Sequence, residues 1–225
     1  MTYQTGPRIV TNGLVFCVDA ADTNSYPGSG TTWTDLSGNG NNGTLTNGPT
    51  FSSANRGSIV FDGTNDYVSC GNAANLQITI GTISAWIRPT VGNSSYRGIL
   101  VKQSAWGLFL YGNNFITYDW GNNARRDNGT VLSNNIWYHT AMTFTETIGT
   151  PSNNAILYVN AISVLTTTVK NSNISSQDVV LGTGGSTPNG QELYGNIASA
   201  QVYNRVLSAS EVLQNYNATK GRYGF

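Results

Sequence analysis

TISAWIRPT, residues 82–90, and NIWYHTAMTFT, residues 135–145, decide the fold. In an extended strand, successive side chains point to opposite sides. In the first stretch that puts Ile83, Ala85 and Ile87 on one face and Ser84, Trp86 and Arg88 on the other. In the second, Trp137, His139, Ala141 and Thr143 share one face, and Tyr138, Thr140, Met142 and Phe144 the opposite one. A strand with one wet face alternates apolar with polar. Here both faces carry bulk. These are central strands, with a core on one side and a second layer, of loops or ligand, on the other.

Ten further runs read the same way: GLVFCVDA, GSIVFDG, DYVSCG, GILVKQ, WGLFLYG, NFITYDWG, AILYVNA, ISVLTTTV, DVVLGTG and NIASAQVYN. Gly, Asn, Pro and Ser clusters separate them. The doublets Asn113-Asn114, Asn122-Asn123, Asn134-Asn135 and Asn153-Asn154 punctuate the middle, and Asn tolerates the left-handed backbone of tight turns. Twelve short strands between turns predict an all-β antiparallel sandwich or barrel. No linker or repeat divides the 225 residues, a normal length for one sandwich. The chain reads as a single domain, 1–225, with an N-terminal arm (1–12) and a C-terminal tail (218–225). After the first strand comes a long polar loop, roughly residues 21–43, which Trp33 and Leu36 are placed to pin to the body.

One stretch is helical, LSASEVLQNYNATKGRYGF, residues 207–225. Ser208 and Glu211 have the spacing of a capping box, and Leu207 and Val212 that of a hydrophobic staple; together they contribute on the order of 1 kcal/mol. Val212, Leu213 and Tyr216 give a short apolar face. So short a helix is not stable alone in water, so it must dock on the rest of the chain.

Net charge is zero and charged residues make up only 10%. With no basic stripe, nucleic acid is not an expected partner. No apolar run reaches the ~20 residues of a membrane span, and the opening MTYQTGPRIV has no apolar h-region of a signal peptide. Cys17 and Cys70, the only cysteines, sit in strand-like runs and read as small core residues, with a disulfide as the alternative. Five N-x-[ST] sequons occur, at Asn42, Asn93, Asn128, Asn173 and Asn217, none read as glycosylated.

The ordered set SIVFDGTNDYV, TISAWIRPT, IWYHTAMTF, ILYVNAISV, VVLGTG and LYGNIASAQVYNRVLSASEV, within about residues 13–217, resembles the laminin G-like branch of the concanavalin A-like lectin/glucanase superfamily. The resemblance implies a jelly roll of two antiparallel sheets whose last strand runs into a short packed helix. A narrower likeness, carried by GLVFCVDAADTNSYPGSGTTWTDLSGNGNNGTLTNGPTF with EVLQNYNATKGRYG, is to laminin G-like proteins of tailed bacteriophages. It implies a virion component (head decoration, fibre or tail-associated), made in the host cytoplasm, whose partners are other virion proteins, copies of itself and host glycans. On that reading the tail is an assembly contact whose deletion leaves a folded monomer. The alternative is a free extracellular carbohydrate-binding or adhesion module. One departure stands out: the family commonly has Asn-Gly in the hairpin where this chain has Asn160-Ala161. A type I′ turn needs positive φ at both positions, so a different turn or a longer loop is expected.

Enzymatic chemistry finds no residues. Glycanases of this fold set carboxylates on one strand, and retaining hydrolysis needs two about 5–5.5 Å apart. The three glutamates, Glu146, Glu192 and Glu211, have no acidic neighbour at i±2, and Glu211 belongs to the helix cap. His139, the only histidine, lies in an interior strand without a G-x-S-x-G elbow. The expectation is a non-enzymatic protein that requires no cofactor. Calcium enters through the resemblance, since relatives bind it on rim loops with oxygen ligands; Asp19, Asp22, Asp62 and Asp66 are the candidates, although Asp62 and Asp66 also suit turns. Sugar binding, the other activity of the family, uses exposed aromatics with nearby amides. Trp106, Tyr111, Tyr118 and Trp120 cluster in one hairpin, followed by Asn122, Asn123 and Arg125. Alternation sends half of these aromatics to the core, and Trp120 is the best placed to be exposed.

Overall fold

The structure, a computed structural model, describes residues 7–90, 95–145, 153–170 and 175–225. Glu146, the sequon residues Asn93 and Asn173, and the first six residues of the arm lie outside the described residues. In chain order the strands are β1 (Leu14–Asp19), β2 (Thr32–Trp33), β3 (Gly43–Thr46), β4 (Thr50–Ser52), β5 (Ser58–Asp62), β6 (Tyr67–Ser69), β7 (Gly81–Pro89) and β8 (Tyr96–Lys102). There follow β9 (Trp106–Tyr111), β10 (Asn114–Asp119), β11 (Ala124–Arg126), β12 (Tyr138–Phe144), β13 (Ala155–Val159), β14 (Ile162–Thr167), β15 (Val179–Leu181) and β16 (Tyr194–Tyr203), then the helix α1 (Ala209–Thr219). All twelve expected strands form. Four more, β2, β3, β4 and β11, are two to four residues long, too short to show a period.

The strands form two antiparallel sheets. The first runs β14-β13-β12-β7-β16-β5-β4, with β1 also paired to β16; the second runs β11-β10-β9-β8-β15-β6-β3-β2. β7 lies between β12 and β16, as its two apolar faces require. Ile83, Ala85 and Ile87 enter the core between the sheets with Met142, Phe144, Phe16, Ile59, Leu108, Leu110 and Phe115. Cys17 and Cys70 are buried free thiols.

The other side of the first sheet carries the second layer. Trp86, Ala198 and Trp137 meet Tyr223 and Tyr216, while Ala141, Tyr158 and Tyr203 meet Leu207 and Val212. The layer on this face is the chain's own C-terminus. Ser208 and Glu211 form the capping box, and the staple pair Leu207 and Val212 is buried in one cluster. Leu213 is the exception, being 46% exposed; the docked side is completed by Asn215, which accepts from Val10 N (2.8 Å) and donates to the Tyr203 hydroxyl (3.0 Å).

Two local expectations are corrected. The β13–β14 hairpin is a two-residue turn with positive φ at both Asn160 (50°) and Ala161 (64°). The left-handed region costs Ala161 about 1 kcal/mol, but Asn160 ties the turn to β12. Its N–H donates to His139 O (2.8 Å), and its side-chain oxygen accepts from His139 N (3.0 Å). The long loop is pinned by Trp33, fully buried, but not by Leu36, which is 38% exposed. The second pin is the buried carboxylate of Asp35, which accepts from Cys17 N, Ser37 N, Ser37 Oγ and Asn41 N at 2.7–3.0 Å.

Candidate functional site

Among the described residues, no helix or tail packs on the outward aromatic cluster of the second sheet. β9 sends Trp106, Leu108 and Leu110 into the core and turns Phe109 and Tyr111 outward. β10 points Phe115 inward and Ile116 and Tyr118 outward. With Val101 of β8, Val180 of β15 and the flanking rings of Tyr67, Tyr96 and Trp120, they build an aromatic surface that is only partly buried at its rim. Its rings meet mostly edge to face: Tyr96 with Phe109 (6.4 Å), Tyr111 (5.0 Å) and Tyr118 (5.5 Å), and Tyr118 with Trp120 (5.4 Å). Edge-to-face packing sets neighbouring rings at steep angles, so the surface is dished, with no continuous flat floor.

A cleft of about 230 Å³ opens on this surface, lined by Tyr96, Gln103, Phe109, Tyr118, Trp120, Asn123, Gly184 and Gln191. Its walls are two loops. The first is the β10–β11 turn, held from beneath by Asp119. That buried carboxylate accepts from Lys170 N (2.9 Å), Asn122 N (3.2 Å), Asn122 Nδ2 (2.7 Å) and an Arg126 guanidinium nitrogen (2.6 Å). Burial pushes the Asp119 carboxyl up, but these hydrogen bonds outweigh it and hold it below its ordinary value. The anchored turn sets Trp120 and Asn123 along the cleft.

The second wall is the segment after β15. Gly98 N donates to Gln191 O (3.0 Å), and Glu192 gathers the amides of Asn189 and Gly190 (2.7 and 3.1 Å). Two glycines permit this close approach. A Cβ at Gly98 would overlap Thr183 O, and one at Gly184 would overlap the Gln191 carboxamide. The Gln191 side chain therefore lies directly over Gly184.

The hairpin residues divide. Tyr118, Trp120 and Asn123 line the cleft, and the Tyr118 hydroxyl donates to Asn123 Oδ1. Trp106 is a correction: it is 1% exposed in the central core, because the alternation of β9 has the opposite phase and presents Phe109 instead. Tyr111 is on the outward face but beneath Arg125, whose guanidinium carbon sits 4.4 Å from its ring centre. Arg125 is also paired with Asp127 at 2.5 Å. Asn122 turns its amide onto Asp119, away from the cleft. The lining residues that the sequence reading missed are Tyr96, Gln103, Phe109, Gly184 and Gln191. Tyr96 and Gln103 come from β8 and its end, Gly184 and Gln191 from the segment after β15, and none carries a motif of its own; Phe109 lies within the hairpin on the outward face of β9.

The four aspartates do not fit a calcium cage. Asp19 holds Arg222 through two bonds of 2.7 and 3.0 Å and accepts from Ala21 N. Asp22 accepts from Asn24 N, Asp62 from Thr64 N, and Asp66 from Asp62 N. Each thus serves its own turn or an ion pair. Among the described residues no three His, Cys, Asp or Glu side chains converge as a metal site would need, and no helix is long and apolar enough to cross a membrane.

Two stacked antiparallel sheets, with a dished aromatic face on one of them and a helix against the other, define a lectin-like sandwich. Residues 62–213 match the model of the Concanavalin A-like lectin/glucanases superfamily, and the chain belongs to that family. A comparison with curated protein sequences finds no significant match. Solved structures share the fold at low identity. The binding domain of Paraclostridial Mosquitocidal Protein 1 is 18% identical, with a TM-score of 0.67 over 92% of this chain and 52% of that one. Trypanosoma rangeli sialidase in complex with sialic acid is 12% identical, with a TM-score of 0.71 over 99% of this chain and 37% of that one. Domain 4 of AbnA, an extracellular arabinanase from Geobacillus stearothermophilus, solved with arabinotriose, is 15% identical; its TM-score is 0.65 over 90% of this chain and 98% of that domain. The chain thus spans about half of the toxin domain and just over a third of the sialidase.

Proposed function

We propose that this protein is a non-enzymatic glycan-binding module and that its binding site is the aromatic cleft on the second sheet. One observation carries the reading. The two outward faces of the sandwich are both aromatic, but the first is closed by the chain's own helix and tail, whereas the second leaves Tyr96, Tyr118 and Trp120 only partly covered beside side-chain amides. Apolar rings with a few fixed polar groups in a concave site are what small-ligand recognition uses. Sugars suit the combination, with C–H faces for the rings and hydroxyls for the amides. Domain 4 of the arabinanase, seen with arabinotriose, lends the reading support from the same fold. Among the described residues no carboxylate lines the cleft, which favours binding over hydrolysis.

The setting we propose is the surface of a tailed-phage particle, with host glycans as ligands and other virion proteins as neighbours. It rests on the sequence likeness of the segments around residues 13–51 and 211–224 and on the low charge, which suits a surface covered by partners. A free extracellular adhesion module would use the same cleft.

A glycan array followed by calorimetry tests the function. Binding should appear for a discrete set of sugars and fall at least tenfold, about 1.4 kcal/mol, in Trp120→Ala, with the circular dichroism unchanged. Equal binding by Trp120→Ala would remove the cleft from the reading. Detection of the protein in purified particles, or only in the medium, separates the two settings.

A further inference from the structure

We infer that the cleft selects neutral sugars and discriminates against acidic ones, and that Gln103, Gln191 and Asn123 read the hydroxyls. This rests on the reading of the cleft as the glycan site and goes beyond it by naming the ligand class. None of its eight lining residues is charged. Of the cations around the β10–β11 turn, Arg125 is stacked on Tyr111 and paired with Asp127, Arg126 is paired with Asp119, and Lys170 is not among the lining residues. A carboxylate or sulfate drawn into such a site loses water and gains no ionic partner, which is unfavourable unless strong hydrogen bonds replace the hydration.

The cleft does hold unused amides. The carboxamides of Gln103 and Gln191 line it, and neither bonds to another described protein group. Each primary amide offers two N–H donors and a carbonyl acceptor, which matches sugar hydroxyls that both give and take. The Asn123 carbonyl is already taken by the Tyr118 hydroxyl, so its amide nitrogen is the part left to donate. Gly184 leaves room for Gln191, since a Cβ there would overlap its carboxamide. The cleft is also small. Its volume of about 230 Å³ lies under the ~300–1,000 Å³ of sites that engulf a drug-sized molecule. It therefore grips one end of a glycan and leaves the remainder in solvent.

The test is calorimetric titration of the full chain with matched probes: lactose, cellotriose and mannotriose as neutral sugars; sialyllactose, sulfated lactose and galacturonotriose as acidic ones. At least one neutral probe should bind, at least tenfold more tightly than its acidic counterpart, with an affinity that changes less than about twofold between low and high salt. Gln191→Ala and Gln103→Ala should each weaken it about fivefold, and Gly184→Ala should do the same by displacing the Gln191 carboxamide. Tighter binding of an acidic probe, lost in Trp120→Ala, would overturn the neutral class and leave the cleft as the site. Binding of any probe that is indifferent to Trp120→Ala, or no binding of any probe up to about 10 mM, would overturn the glycan reading of the cleft and this inference with it.

Discussion

The ring of Tyr223 stacks on the indole of Trp86 with centroids 4.1 Å apart and planes 26° from parallel. Trp137 closes the other side at 4.7 Å, Trp86 Nε1 donates to Thr219 Oγ1 (2.7 Å), and Arg222, one residue before Tyr223, is locked to Asp19. The tail is thus part of the fold. The sequence-based expectation that residues 218–225 can be deleted from a folded monomer changes accordingly. Removing a buried aromatic costs about 3–5 kcal/mol. Tyr223→Ala should lower the melting temperature by roughly 6–20 °C for a chain of this size, and deletion of 218–225 by more. A truncated protein melting within about 2 °C of the full chain would show that the contacts contribute nothing to stability.

The same layer makes the fold acid-sensitive. His139 is buried against the rings of Trp86 and Tyr216, and burial lowers its pKa from 6.5 to about 4. The folded state therefore binds the proton less readily than the unfolded chain does. The resulting stability is present in full above pH 6.5 and is lost as pH falls toward 4. A shift of this size is worth on the order of 3 kcal/mol. Melting temperatures measured from pH 7 down to 4 should fall along this limb, and His139→Gln should flatten it while lowering the plateau. An unchanged limb in that variant would assign the acid loss to carboxylates.

Long strands were legible because their alternation is long. Nine residues of β7 and seven of β12 state both faces and hence the central position. The capping box was legible because it is local. The four short strands were not, since Thr32–Trp33 or Ala124–Arg126 contain no full period. For the same reason only three of the eight residues that line the site could be read. Tyr118, Trp120 and Asn123 sit within one hairpin, whereas Tyr96, Gln103, Gly184 and Gln191 reach the cleft through strand pairing β8–β9 and β8–β15 that composition does not encode. Trp106 belongs to the half of the hairpin aromatics that faces the core, and because both faces of β9 are apolar, Trp106, Leu108 and Leu110 against Phe109 and Tyr111, alternation alone does not say which half. The second pin of the long loop went to Leu36 on hydrophobicity, but a buried carboxylate with four donors does that work.

Asp119 links stability to the cleft. It gathers four donors from three segments beneath Trp120. Asp119→Asn keeps the shape but replaces an acceptor-only group with one that also carries N–H donors, leaving Arg126 without its anion. A buried charged hydrogen-bond network broken on one side loses about 2–4 kcal/mol. The expected outcome is a melting temperature lower by roughly 4–16 °C and weaker glycan binding, since the turn bearing Trp120 and Asn123 is no longer held. Full affinity with reduced stability would show that the turn keeps its position without this anchor.

Ala161 offers the reverse test, a change that should stabilise. It occupies the second position of a two-residue turn with φ of 64°, where an L side chain is disfavoured by about 1 kcal/mol. Glycine removes that strain, although it adds chain entropy to the unfolded state and gives up the packing of the Ala161 methyl on the Tyr158 cluster; Ala161 is only partly buried there. The net expectation for Ala161→Gly is a gain of about 0.5–1 kcal/mol, read as a higher urea midpoint at unchanged slope. Asn160→Ala should do the opposite. It removes the acceptor for His139 N and places a second strained alanine in the turn, for a loss of about 2 kcal/mol. If Ala161→Gly lowers the midpoint instead, the methyl contact outweighs the backbone strain, and the hairpin is held by packing on α1's cluster more than by its turn.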